Sequence, residues 1–166
     1  MEQNLENQLK QTYHKSIPMW NTVYSKCKLS NLANRQLSVE PTFDVCLDLF
    51  ASACPIVLDY GCGTGDILFQ TYQFGTMWKG TGIDLSQTGI DYANQEAKIS
   101  HYSNLQFITG SVETLAAFSK ESVDGIILSN VLDVIPRPDA IAIFTELTRI
   151  LKKEGLMFVK LNPYFE

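Results

Sequence analysis

The stretch Ile56-Val57-Leu58-Asp59-Tyr60-Gly61-Cys62-Gly63-Thr64-Gly65-Asp66 decides the fold of this chain. It opens as a short apolar run of strand length. It then passes through glycines at alternate positions, and helical spacing begins with the stretch Ile67 to Phe74. Glycine carries no Cβ, so the backbone can bend tightly there and come close to a ligand. A helix that starts directly behind such a bend aims its free N–H groups and the positive end of its dipole into the same crevice. A merely flexible turn is the simpler reading. Packing alone, however, gives little reason for a strand, a glycine trio and a helix in that order.

Downstream, further short runs alternate with helical stretches. The runs are Gly80 to Ile83, Leu105 to Ile108, Val123 to Leu128 and Leu156 to Leu161. The helical stretches are Gln87 to Ser100, Glu113 to Phe118 and Ala140 to Leu151. In the last, Ile143, Leu147, Ile150 and Leu151 share one face, with Phe144 beside it. Ser86 and Asp139 are placed as helix caps, and Gly155 as a left-handed helix stop. Strand and helix in regular alternation predict an α/β fold, a parallel sheet with helices on both faces. Ligands of such sheets sit beyond the carboxyl ends of the strands, so the residues just after each run are the ones to read for function. One of these is Asp84, at the end of the second run, about 20 residues beyond the bend. An acid there can accept hydrogen bonds from both hydroxyls of a ribose. The plainer reading, a capping aspartate, is weakened by Ser86, which is the better cap.

Residues 1–40 differ from the rest. They are polar, rich in Asn and Gln and weakly periodic, and they read as a helical cap segment. Helices are expected from about Leu5 to Lys15 and from about Met19 to Cys27, with Pro18 between them. Pro41 opens a stronger helix in which Phe43, Cys46, Leu47 and Phe50 recur at helical spacing, which predicts a buried face that includes Cys46. Residues 41–166 read as one ligand-binding domain, within the usual size for 166 residues.

Composition narrows the function classes. The formal net charge is −5, which opposes a phosphate-gripping nucleic-acid binder. No apolar run approaches the roughly 20 residues that cross a bilayer, and the polar, acidic start lacks a secretory pattern, so no membrane partner is expected. The four cysteines, Cys27, Cys46, Cys54 and Cys62, form no Cys-x-x-Cys pair and do not cluster with His14 or His101. No metal site is expected, and reduced thiols fit a cytoplasmic protein.

Asp59 to Gly65 together with Gly82-Ile83-Asp84 resemble the first two motifs of the class I S-adenosylmethionine-dependent methyltransferases. Further matches are Phe107-Ile108-Thr109-Gly110-Ser111-Val112-Glu113, Leu128-Ser129-Asn130-Val131-Leu132 and Arg149 to Leu156. The resemblance runs from about Phe43 to Leu161. It implies a Rossmann-like three-layer sandwich of about five parallel strands in the order 3-2-1-4-5. It implies S-adenosyl-L-methionine as cofactor, with Asp59, Tyr60, Gly61, Cys62, Gly63 and Gly65 around its methionine part and Asp84 and Leu85 at its ribose. Ser111, Val112 or Glu113 serves the adenine, since Ser111 replaces the aspartate many members carry there. Asn130 stands near the transferred methyl group. Asp133 is a candidate base or anchor for a cationic acceptor, although a solvated surface residue is the plainer reading. The segment with Tyr13, His14, Trp20 and Tyr24 folds over the cofactor as a lid in many members, and simple covering of the core is the alternative.

The expected reaction is in-line transfer of a methyl group to a small-molecule acceptor. It rests on alignment and exclusion of water, with a base needed only for a protonated nucleophile. The family's terminal antiparallel hairpin has no counterpart here, so the domain reads as truncated after the fifth strand. The fifth strand then becomes an apolar edge that invites self-association. Two rivals stand beside this reading. One is an inactive methyltransferase-like binding or scaffold subunit. The other is an NAD-dependent oxidoreductase domain, which shares the fold, but its Gly-x-Gly-x-x-Gly spacing is not met and Asp66 would repel a pyrophosphate.

Overall fold

The computed structural model describes residues 16–162. The expected helix from Leu5 to Lys15 lies outside the described residues, as do Tyr13, His14, Tyr164 and Phe165. Helix α1 covers residues 16–24. It is followed by α2 (Pro41–Ala53), β1 (Ile56–Tyr60), α3 (Asp66–Gln73), β2 (Lys79–Asp84), α4 (Gln87–Ile99), β3 (Leu105–Thr109), β4 (Val123–Ser129), α5 (Arg137–Ile150) and β5 (Leu151–Lys160). A 3-10 turn, Val112–Ala117, stands where a helix was expected after β3. The strands form one five-stranded sheet in the order β3-β2-β1-β4-β5. Every pairing is parallel. The parallel sheet is the one the alternation of runs predicts, and the strand order is the Rossmann-like one that the family resemblance implies.

Strand alternation divides the core between the two faces. Val57 and Ile127 join Phe43, Leu47, Phe50, Phe69 and Ile90 on one side of the sheet. Leu58, Tyr60, Ile126 and Leu128 join Ile143, Leu147 and Ile150 on the other. Leu32, from the N-terminal segment, is part of the first cluster. That segment is fastened further by Glu96, whose Oε1 accepts from the Ser30 amide and hydroxyl at 3.1 and 3.0 Å. No helix among the described residues is long and apolar enough to cross a membrane.

Three local expectations are corrected. Cys46 is exposed, because the buried stripe of α2 runs through Phe43, Leu47, Phe50 and Ala51 and leaves position 46 off its axis. Asp139 caps nothing: α5 begins earlier, behind Pro136, and Asp139 sits in its first turn. Gly155 is not a helix stop. The helix ends at Ile150 because Leu151 already pairs with Val123, and residues 152–155 form a bulge before Leu156 resumes pairing with Gly125. Lys152 ties this bulge to Asp124 at 2.6 Å. Glycine is needed at 155 because a Cβ there would lie 2.5 Å from Leu151 Cδ1 and 2.9 Å from the Asp124 carbonyl oxygen.

Arg149 links α5 to the loop after β3. Its Nη1 and Nη2 donate to the carbonyls of Phe118 and Leu115, each at 2.9 Å, and its Nε to Glu146 Oε2 at 2.8 Å. Arg149→Met leaves two carbonyls without their charged donor and is expected to cost about 2 kcal/mol. Urea unfolding measures this, and an unchanged midpoint would remove Arg149 as the brace of that loop.

Candidate functional site

The bend after β1 is strapped to the end of β2. Gly61, Gly63 and Gly65 all have positive φ, at 78°, 55° and 84°. The Gly61 and Cys62 amides donate to the Ile83 carbonyl at 2.7 and 3.1 Å. The Gly63 amide donates to Asp84 Oδ2 at 2.9 Å. Asp84 Oδ1 accepts from the Ser86 amide at 2.8 Å, and Ser86 Oγ caps α4 by accepting from the Gly89 amide at 3.0 Å. A side chain at 61 would come 2.4 Å from Val131 Cγ2, and one at 63 would come 2.7 Å from Tyr24 Oη. Glycine is therefore demanded at the bend both by backbone conformation and by close approach.

Above the bend lies a cavity of about 480 Å³. The strand ends contribute Tyr60, Gly61, Asp84, Leu85, Gly110, Ser129 and Asn130 to its walls. Helix α1 closes one side with Ile17, Met19, Trp20 and Tyr24, and the loop after β4 adds Val131, Val134 and Ile135. Trp20 and Tyr24 stack with centroids 5.6 Å apart. Asn21 accepts from the Ser86 hydroxyl, which anchors α1 at the rim.

Of the cofactor and lid residues singled out in the sequence, seven thus meet in one cavity: Trp20, Tyr24, Tyr60, Gly61, Asp84, Leu85 and Asn130. The others stand elsewhere. Asp59 is 2% exposed, beneath the bend. Gly63 lies under Tyr24, and Gly65 is the N-cap of α3. Cys62 is half-buried within the bend, with its thiol 2.8 Å from where a Cβ on Gly82 would stand. Ser111 precedes the 3-10 turn, Val112 packs toward the second core cluster, and Glu113 is exposed. Asp133 is exposed and accepts from the amide and side chain of Asn162 at 2.9 and 2.8 Å. Two residues went unmarked in the sequence. Asn162 lines the cavity, and Lys160 donates to Asn130 Oδ1 at 3.0 Å. Asn162 directly follows the last apolar run, so the strand-end rule points to it, whereas Lys160 lies inside that run and carries no such signal.

The site gathers buried and partly buried acidic groups. Burial, reinforced by the charges of Asp84 and Asp66, pushes the Asp59 carboxyl up to about 8. Burial also raises Asp84, against the opposing pull of the Ser86, Gly63 and Leu85 amides. Burial, then Asp59 and Asp84, holds the Cys62 thiol well above its ordinary range. The Tyr24 phenol is raised by burial and then by the field of Asp84. Among the described residues the ion pairs are Lys120–Glu121, Arg149–Glu146 and Lys152–Asp124, and none involves the bend. Asp133 behaves differently: burial raises it, but the two Asn162 bonds and Lys160 outweigh this and leave it below the usual carboxylate range.

A methyltransferase domain family model matches residues 53–162, and the chain belongs to that family. A ubiquinone biosynthesis O-methyltransferase of Albidiferax ferrireducens is 31% identical over 125 residues, covering 69% of this chain and 49% of the relative. One from Neisseria meningitidis is 26% identical over 110 residues, covering 64% of this chain and 45% of the relative. The chain therefore spans about half the length of the curated relatives it matches. In fold it is similar to a SAM-dependent methyltransferase from Aquifex aeolicus, with a TM-score of 0.64, 20% identity, and coverage of 84% of this chain and 71% of the other. It is similar also to the [4+2]-cyclase SpnF, with a TM-score of 0.63, 24% identity, and coverage of 90% and 57%.

The raised acid beneath the bend sets a pH dependence. The unfolded chain releases this proton near pH 4, whereas the folded chain keeps it to about pH 8. Stability therefore falls as pH rises between those values, by on the order of 1 kcal/mol per pH unit, and levels off above. Asp59→Asn is expected to flatten this slope and to be the more stable protein at pH 8. Urea midpoints at pH 5, 6.5 and 8 check this, and an equal slope in the variant would assign the dependence to another group.

Proposed function

We propose that this chain binds S-adenosyl-L-methionine and directs its methyl group to an oxygen of a small, largely apolar acceptor. The observation that carries the reading is Asp84. Its oxygens accept from the Gly63 and Ser86 amides, the Leu85 amide also bears on the carboxylate, and a carboxylate has about four acceptor positions. Acceptor capacity thus remains on a carboxylate that lines the cavity, where a ribose hydroxyl can donate to it. The charge of the site agrees, because Asp84 and Asp66 both bear on the raised Asp59 carboxyl at the bend, and among the described residues no ion pair reaches them. That field suits a ligand with an ammonium and a sulfonium and repels a pyrophosphate. Family membership and the O-methyltransferase relatives support the same reading.

Gly61 and the neighbouring bend would hold the methionine part, Asp84 and Leu85 the ribose, and Gly110 with the backbone of Ser111 and Val112 the adenine. When bound, the cofactor supplies a methyl group made electrophilic by the adjacent sulfonium. The chain's own residues contribute alignment and dryness. Ile17, Met19 and Trp20 from α1 and Val131, Val134 and Ile135 opposite form the apolar wall for the acceptor. Residues 1–40 serve in this reading as the lid and residues 41–166 as the cofactor-binding domain. Asp133 is spent on Asn162 and holds the end of β5 rather than a substrate proton.

Isothermal calorimetry with S-adenosylhomocysteine tests the proposal. A dissociation constant tighter than about 1 mM, roughly −4 kcal/mol, is expected. Asp84→Ala should weaken it by about 1–3 kcal/mol. Absence of binding at millimolar ligand would end the cofactor reading, and an unchanged affinity in the variant would remove Asp84 from the site.

A further inference from the structure

We propose that Lys160 and Asn130 form an oxyanion-holding pair at the acceptor end of the cavity, and that the acceptor is an acidic hydroxyl compound, a phenol or an enol, held as its anion. This rests on the cavity being an acceptor site, and it adds the chemical class of the acceptor.

The two residues clamp β4 to β5 at two points. The Asn130 amide donates to the Lys160 carbonyl at 2.8 Å, and the Lys160 ammonium donates to Asn130 Oδ1 at 3.0 Å. An ammonium can only donate, so this contact decides which way the Asn130 side-chain amide faces. Its oxygen is turned to Lys160, and among the described residues its Nδ2 hydrogens have no acceptor. Asn130 itself lines the cavity, so the amide end it has left to offer there is a hydrogen-bond donor. A cation on the oxygen of an amide also polarises the N–H at its other end. Trp20, Val131, Val134 and Ile135 also line this cavity, and away from water a charge-assisted bond gains strength. Asn130 adopts φ +56°, the left-handed region that asparagine tolerates better than most non-glycine residues, and the two-point clamp holds it there.

Other charges bear on the pair. Asp133, from the loop after β4, lies within electrostatic reach of Lys160, yet among the described residues the two form no ion pair within 4.0 Å, and Asp133 is bonded instead to Asn162. Asp84 lines the same cavity, with the Gly63 and Ser86 amides on its oxygens. Tyr60 and Tyr24 complete the titratable wall. An acidic hydroxyl gives its proton to bulk water as it binds, and its oxygen anion accepts from Asn130 Nδ2, with the positive charge of Lys160 directly behind. Lys160 thus acts through Asn130 as a positioning residue.

The probe is 4-nitrophenol, whose anion absorbs in the visible while its neutral form does not. It is titrated into the whole chain from pH 5 to 9, with and without S-adenosylhomocysteine. Saturable binding is expected, with the ionisation midpoint of the bound probe about one pH unit below that of the free probe. Lys160→Met should abolish the downward shift and Lys160→Arg should retain it. Asn130→Gly, which suits the positive φ and removes the amide, should also abolish it, so a fold defect in one variant does not decide the outcome. Thermal unfolding of each variant is read alongside. Saturable binding with an unshifted midpoint, no binding, or a shift that survives both Lys160→Met and Asn130→Gly overturns the proposal. Loss of S-adenosylhomocysteine binding in wild type, with the phenolate shift intact, would instead overturn the cofactor reading and leave the pair standing.

Discussion

The bond from the Gly63 amide to the Asp84 carboxylate is the constraint on which the rest of the site depends. It joins the carboxyl ends of β1 and β2 at the point where both chains leave the sheet. Together with the Gly61 and Cys62 amides on the Ile83 carbonyl, it fixes the bend in its left-handed conformations. Those conformations and the approach of Val131 and Tyr24 exclude side chains at 61 and 63. The same carboxylate accepts from Ser86, which caps α4 and receives α1 through Asn21. One aspartate thus organises the bend, the start of α4 and the seat of the N-terminal helix.

This organisation crowds carboxyl groups where they are buried or partly buried. A protonated Asp59 beneath the bend is the cheapest response of the protein alone, because an ionised carboxyl that is 2% exposed would have little to compensate it. A cationic ligand changes that balance. The field that destabilises ionised Asp59 and Asp84 attracts an ammonium or sulfonium. The site's cost to the folded protein and its selectivity for a cation therefore come from the same charges. At the end of β4, with β1 between it and β2 in the sheet, the Lys160 ammonium stands on Asn130 Oδ1.

Much of the fold was legible because its signals are local. The runs at Val57, Ile83, Phe107 and Ile127 match four strands, and Ser86 caps α4 as its position suggests. The errors are local as well. Gly155 follows a helical pattern and so reads as a stop, but the pairing of Leu151 with Val123 converts the end of that pattern into strand. Cys46 sits one turn after Phe43 and so reads as buried, but the sheet lies under Leu47 and Phe50. In each case a contact distant in sequence overrode the periodicity.

The sequence by itself determined the parallel alternation and the glycine bend, because each follows from conformational preferences and periods within a short window, and it put Asp84 at the end of the next run, where a parallel neighbour brings it beside the bend. Only the tertiary structure decided that Trp20 and Tyr24 close the cavity, that Asp133 turns away to Asn162, and that Lys160 orients Asn130. Residues 130 and 160 are separated by the whole of α5 and meet because β4 and β5 run side by side. No local pattern encodes such a meeting, since it is set by which strands share a ladder and in what register.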